Sequence, residues 1–298
     1  MSEIPKPKIL VILGPTAVGK SDIAVTLAKK FNGEIVSADS RQVYKGMDTG
    51  TGKITKKEMG GVKHYLLDVV SPQTVFNVIK YRKLAEKAIE EILAKNKLPI
   101  ICGGTGFYIQ ALVDNPLYPD VKPDPKLRAQ LEKMTTTSLL LKLQKLDRAR
   151  YESIDQANRV KIIRALEIAL ALGSVPKVKL EPKYDALQIG LTLKDKVLKD
   201  RILIRLKRRM ESGMISEVKK LHAEGVSWKR LESFGLEYRY LALYLQNKLT
   251  KDEMIRQLNS AIWHYARRQK TWFRRDKRIK WFSPKDIKKI EMNLRKLL

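Results

Sequence analysis

The segment Gly14-Pro15-Thr16-Ala17-Val18-Gly19-Lys20-Ser21 constrains this chain more than any other stretch. It matches G-x-x-x-x-G-K-[ST] in full, with the flanks that the motif needs. Before it, Lys8–Leu13 is a short apolar run rich in β-branched residues. After it, Ile23, Ala24, Leu27, Ala28 and Phe31 recur at helical spacing. Strand, glycine loop and helix predict a tight turn whose backbone N–H groups converge on phosphate oxygens, reinforced by the helix N-terminus. Lys20 adds a point charge, and the Ser21 hydroxyl is placed for a phosphate-bound Mg²⁺.

The segments that follow extend an α/β pattern. Glu34–Ser37 reads as a second strand and ends in Ala38-Asp39-Ser40-Arg41-Gln42. Ligands of parallel sheets sit beyond the carboxyl ends of strands, so Asp39 is expected near the phosphate loop, with a turn cap as its alternative role. His64–Val70 reads as a strand ending near Asp68, a candidate acidic metal partner or a structural carboxylate. Ser71-Pro72 is expected to open a helix burying Val75, Val78, Ile79, Leu84, Ala88, Ile89 and Ile92. Leu98–Cys102 reads as a strand running into a second glycine turn, Gly103-Gly104-Thr105-Gly106, either a plain tight turn or part of the same site.

Beyond Leu112 the chain turns helical and basic. Asn115–Pro125 reads as a proline-rich entry to helices at Asp124–Met134, Ser138–Arg150 and Gln156–Leu172. Ala186–Leu193 resembles a strand that rejoins the first sheet. The expected fold is therefore α/β: a P-loop NTPase-like parallel sheet core (1–112 plus 186–298) with an inserted helical subdomain (113–185) and a helical C-terminal region. Two further helices, Val197–Glu211 and Ile215–Ala223, follow, the first carrying Arg201, Arg205, Arg208 and Arg209. Thr250 and Glu253 have capping-box spacing before a long last helix. In it Tyr265 and Trp272 interleave with Arg267, Arg268, Arg274 and Arg275, a mixture suited either to RNA or to a solvated basic face over a core stripe.

Charge agrees with a polyanionic partner: 60 Lys and Arg against 32 Asp and Glu leave a net +28. No apolar run is long enough for a membrane span. Met1–Lys8 reads as a short leader without a signal-peptide core. The one cysteine, Cys102, excludes a disulfide within the chain and a cysteine-rich zinc site, and reads as a core residue.

The motifs GPTAVGKS (14–21), VSADSRQVYKGMDTGTGK (36–53), GGTGFY (103–108), NRVKIIRALEI (158–168) and YARRQKTWF (265–273), in this order, resemble the tRNA dimethylallyltransferase (isopentenyltransferase) family, in its bacterial type without a C-terminal zinc finger. The resemblance implies a cytoplasmic, monomeric enzyme that moves a dimethylallyl group from its diphosphate to N6 of adenosine 37 in the tRNA anticodon stem-loop, with Mg²⁺. It assigns the phosphate loop to the donor diphosphate, Thr16 to the bridging or neighbouring oxygens, and Asp39 to the general base. It carries Arg201 and Arg205 over as arginines of a helix that approaches the donor phosphates, with one or the other as the ligand. It carries Asp39 itself, Ser40, Arg41, Gln42, Thr105 and the stretch Ile163, Arg164, Ala165, Leu166 and Glu167 over as tRNA contacts. The chain departs from the family pattern at Gly235-Leu236, where glycine-tyrosine is usual, and at Ile262-Trp263, where threonine-arginine is usual. A small-molecule nucleotide kinase, a prenyltransferase for free adenine nucleotides and a non-catalytic RNA-binding protein are the alternatives.

Overall fold

Strand β1 (Lys8–Leu13) is buried from Ile9 onward, and its alternation divides the sheet's two faces. Leu10 and Ile12 pack into one apolar layer, while Ile9, Val11 and Leu13 pack into the other. Burial on both faces is what a parallel sheet clothed by helices requires. In this computed structural model residues 5–298 are described; of the leader expected at Met1–Lys8, residues 1–4 lie outside them.

In chain order β1 is followed by α1 (Lys20–Lys30), β2 (Gly33–Ala38), α2 (Lys56–Met59), β3 (His64–Tyr65), α3 (Val78–Leu93), β4 (Leu98–Gly103) and α4 (Gly106–Val113). A second compact unit, residues 115–181, contains β5 (Pro116–Leu117), α5 (Pro125–Leu131), α6 (Thr136–Leu146), α7 (Arg148–Ser153), α8 (Arg159–Leu172) and β6 (Lys179–Leu180). The first unit resumes at Pro182. It continues with β7 (Asp185–Leu191), α9 (Asp195–Glu211), α10 (Met214–Ala223), α11 (Trp228–Ser233), α12 (Leu236–Leu245), α13 (Lys251–Phe273), β8 (Lys280–Phe282) and α14 (Ile287–Leu297).

The six strands of the first unit run in the order β3-β2-β4-β1-β7-β8, and every pairing is parallel. The returning strand β7 lies directly against β1, with Leu13 opposite Gly190. One face is covered by α1, α9 and α13 through Leu27, Leu198, Ile202, Leu258 and Ile262. The other is covered by α3 and α4 through Tyr81, Ala85, Ile89, Ile109 and Leu112. The capping box expected at Thr250 and Glu253 is formed at the start of α13.

Several local expectations are corrected. The strand expected over His64–Val70 shrinks to two residues, because Leu66 and Asp68 both take positive φ (62° and 56°) and turn the chain away. Helix α3 begins at Val78 behind an Asn77 cap rather than at Ser71. Its buried stripe is Tyr81, Ala85, Ala88, Ile89 and Ile92, so Val75, Ile79 and Leu84 face outward. The helix expected over Ser138–Arg150 is cut at Asp147, which ends α6 and caps α7 by accepting from Arg150 N at 2.8 Å.

In the second unit Leu139, Leu143, Ile162, Ile163 and Leu166 form the core. Glu167 is 2% exposed. It accepts bidentately from Arg128 (2.8 and 2.7 Å), from Arg164 (3.2 Å) and from Asp124 N (3.0 Å). Burial works against its charge, but these donors win and hold the carboxyl below its usual range. The stabilisation is thus present above the unfolded carboxyl's pKa and is lost as pH falls through the lowered one. Replacing Glu167 with Leu is expected to cost roughly 1–3 kcal/mol, measured as a fall in Tm. Glu167→Gln, which keeps an acceptor for Asp124 N, is expected to cost less.

Candidate active site

The phosphate loop fills the space between β1 and α1. At Gly14 φ is 144°, and a Cβ would lie 2.5 Å from the carbonyl oxygen of Leu191, at the end of the neighbouring β7. Backbone packing, as well as loop geometry, therefore demands glycine there. Ala17 takes φ 62° and Gly19 φ 101°, which curls the loop. Lys20 opens α1 and donates back to the Pro15 carbonyl at 2.8 Å. Burial lowers its pKa to about 8, Arg205 pushes the same way, and Asp39 opposes them.

A cleft of about 1200 Å³ runs outward from this loop. Thr16, Ala17, Gly19, Lys20 and Ser21 line it together with Asp39, Ser40, Arg41, Gln42, Arg201 and Arg205. Asp39 follows β2, and its Oδ1 accepts from Arg41 N (2.8 Å) and Gln42 N (3.3 Å). The turn-cap and cleft roles therefore coexist: the cap fixes one oxygen and so orients the carboxylate along the cleft wall. Ser40 N donates to Thr105 Oγ1 at 3.0 Å. Arg41 Nε donates to the Phe234 carbonyl at 2.8 Å, and Gln42 Nε2 to the Gly52 carbonyl at 3.3 Å.

The second glycine turn is held from two sides. A Cβ on Gly103 would meet the Ala38 carbonyl oxygen at 2.2 Å, and one on Gly106 would meet the Trp272 ring at 2.3 Å. Trp272 therefore packs onto this turn. Tyr265 lines the cleft, where burial raises its pKa and keeps it a neutral phenol. The interleaved arginines Arg267, Arg268, Arg274 and Arg275 are exposed.

Residues 48–53 supply a wall that the sequence did not reveal. Glu217 accepts from the backbone N–H groups of Asp48 (2.9 Å), Thr49 (2.6 Å) and Gly50 (3.0 Å), and from Tyr238 Oη at 2.7 Å. Against this wall lie Arg205 and Arg209, which with Arg201 are spaced four apart on one face of α9; Arg209 Nη1 donates to the Gly50 carbonyl at 3.4 Å. Arg201 donates to the Val18 carbonyl at 3.2 Å. Arg209 pairs with Glu237 at 3.0 Å, while its Nη2 is buried with no partner among the described residues. Burial lowers the Arg205 pKa to about 10, with Arg209 adding to the effect. The i, i+4, i+8 spacing was the signal for Arg209. Glu217 and Glu237 offered none, because their partners are distant in sequence.

Some expected site residues lie elsewhere. Ile163, Ala165, Leu166 and Glu167 are buried in the second unit. Of that stretch Arg164 alone is half-buried, its guanidinium shared with Glu167 and the Val121 carbonyl. Asp68 pairs with Lys53 at 2.5 Å, a structural role. Burial pushes the Cys102 thiol up to about 12, as suits a core residue. At the two departures, Gly235 caps α12 with Leu236 at φ 38°, and Ile262 is buried beside the cleft.

Fold and cleft together define a phosphate-loop α/β protein whose cleft is lined by a carboxylate and by half-buried cations. The family described as IPP transferase matches residues 42–276. A tRNA dimethylallyltransferase 2 of Pelobacter propionicus is 42% identical over 93% of this chain and 89% of its own length. A tRNA dimethylallyltransferase of Bacillus mycoides is 39% identical over 99% of this chain and 96% of its own. Among solved structures, a full-length tRNA isopentenylpyrophosphate transferase from Bacillus halodurans superposes with a TM-score of 0.76 at 37% identity, covering 98% of this chain and 97% of that one. A eukaryotic dimethylallyltransferase acting on tRNA gives 0.79 at 28% identity over 89% of this chain and 69% of that one. The chain belongs to the IPP transferase family of tRNA dimethylallyltransferases.

Gly52 supplies a test of the arginine wall. Its φ is 59°, and a Cβ there would overlap Arg209 Nη2 (1.6 Å) and crowd Arg205 Nη2 (2.7 Å). Guanidinium ends can swing aside, but the left-handed backbone strains alanine, so Gly52→Ala is expected to lower Tm modestly as well as to displace both cations. Pyrophosphate affinity is expected to fall on the order of 10-fold, read by calorimetry.

Proposed function

We propose that this protein transfers a dimethylallyl group from dimethylallyl diphosphate to N6 of adenosine 37 in the tRNA anticodon stem-loop. The observation that carries the reading is the shared cleft: Lys20, Arg201 and Arg205 line it with the oriented carboxylate of Asp39. The phosphate-loop amides, Lys20 and the α9 arginines hold the diphosphate. As the bond between the prenyl carbon and the adenine nitrogen forms, the carbon–oxygen bond to diphosphate breaks, and the electron pair leaves with the diphosphate. Preorganised cations at that oxygen lower the barrier. Thr16 sits beside the bridging or neighbouring oxygens. Asp39 accepts the N6 proton, which the weakly nucleophilic exocyclic amine must lose.

No cluster of three or more His, Cys, Asp or Glu side chains among the described residues could hold a metal ion. That fits Mg²⁺ carried chiefly by substrate phosphates and water, with the Ser21 hydroxyl as its protein contact. Bound with the donor, the ion supplies further positive charge to the leaving group. The exposed arginines of α13, with Ser40, Arg41, Gln42 and Thr105, are the surface of the first unit that we assign to tRNA, whose target base must leave its stack to reach Asp39; in the second unit we assign it Arg164. The net charge of +28 suits that partner. The assignment is to a monomer acting in the cytoplasm.

The deciding experiment incubates the protein with dimethylallyl diphosphate, Mg²⁺ and unmodified tRNA, followed by nucleoside mass analysis. N6-dimethylallyladenosine at position 37 is expected; phosphoryl transfer from ATP with no prenyl product would favour a kinase instead. Asp39→Ala is expected to lose at least about 100-fold of kcat and to retain tRNA binding, so near-normal turnover would remove Asp39 from the base role. The Lys20 pKa of about 8 sets a pH dependence. The protonated amine binds phosphate, so pyrophosphate affinity is expected to be full below pH 8 and to fall as pH rises through it. Lys20→Met should bind weakly and lose that slope.

A further inference from the structure

We propose that Gln269 is a positioning residue for the transfer. It acts as a two-ended clamp that fixes the Thr16 shoulder of the phosphate loop to the second glycine turn and to the basic helix α13. The inference rests on the functional reading above. Gln269 is 6% exposed, four residues before the end of α13, where the neighbouring Arg267 and Arg268 face solvent. Its Oε1 accepts from Thr16 N at 2.9 Å, and its Nε2 donates to the Gly104 carbonyl at 2.7 Å.

The chemistry is selective. One partner is a backbone donor and the other a backbone acceptor, so the clamp needs a side chain presenting both. A primary amide does this; a carboxylate has no donor, and an aliphatic side chain has neither. Asparagine is one methylene shorter. Gly104 is fitted to the same contact, since a Cβ there would lie 2.4 Å from Nε2. A buried amide satisfied at both ends stabilises by a modest amount, but it removes positional freedom from Thr16, and transfer depends on that position. One rigid turn of α13 thus bears exposed cations for the nucleic acid and a buried grip on the donor loop.

The test uses the full chain as wild type, Gln269→Ala, Gln269→Glu, Gly104→Ala and the double Gln269→Ala/Gly104→Ala variant. Steady-state transfer is measured with donor and tRNA varied separately, alongside Tm, tRNA Kd and calorimetric pyrophosphate binding with Mg²⁺. Gln269→Ala is expected to lower kcat on the order of 10- to 100-fold and to weaken pyrophosphate several-fold, with KM and Kd for tRNA within about twofold. Gln269→Glu should not rescue it. The double variant should be no worse than Gln269→Ala, because both changes break one contact. Wild-type kcat in Gln269→Ala, multiplying losses in the double variant, or a parallel fall of kcat, tRNA affinity and Tm would each overturn the clamp. If wild type transfers no prenyl group, the functional reading fails, and pyrophosphate binding across the same proteins still decides the clamp.

Discussion

The site depends on backbones meeting at the carboxyl ends of parallel strands with no room for a side chain. Gly14 abuts the Leu191 carbonyl, and Gly103 abuts the Ala38 carbonyl. Through these contacts β7 supports the phosphate loop, and β2 supports the second glycine turn. Asp39 follows directly from β2, and Thr105 reaches Ser40 from that turn. The cations of α9 then approach from the helical layer.

The electrostatics are one-sided by construction. Lys20, Arg205 and Arg209 are buried or nearly so, with Glu237 directly paired only to Arg209. Burying like charges together costs stability, visible in the lowered pKa values of Lys20 and Arg205. An anionic ligand removes much of that cost on binding. The exposed α13 arginines differ, since solvent screens their charge and no such burial cost attaches to them.

The parts of this design that lie close together in sequence were legible beforehand. Strand, loop and helix at residues 8–31 follow from periodicity and glycine spacing, and β7 was recognised as a strand rejoining the sheet. Where local pattern and tertiary demand diverge, reading failed. Leu66 and Asp68 adopt left-handed backbone that no hydropathy pattern encodes, so the strand before them was overextended. Val75 and Ile79 had the right spacing for a helix face but lie outside the packed stripe. In the family motif at residues 163–167, Ile163, Ala165, Leu166 and Glu167 are buried side chains. Glu217, Glu237 and Gln269 make their contacts across wide sequence separations, which single-residue chemistry cannot announce.

The position of β7 also shapes how the molecule is made. Its register against β1 runs from Lys8–Asp185 to Leu13–Gly190, so the central strand waits for the whole of the second unit to be synthesised before it gains that neighbour. Until then the nascent sheet carries β1 as an open edge, apolar on both faces and able to recruit a foreign strand. An insertion between β4 and β7 therefore makes the chain's own biogenesis the period of greatest vulnerability to aggregation.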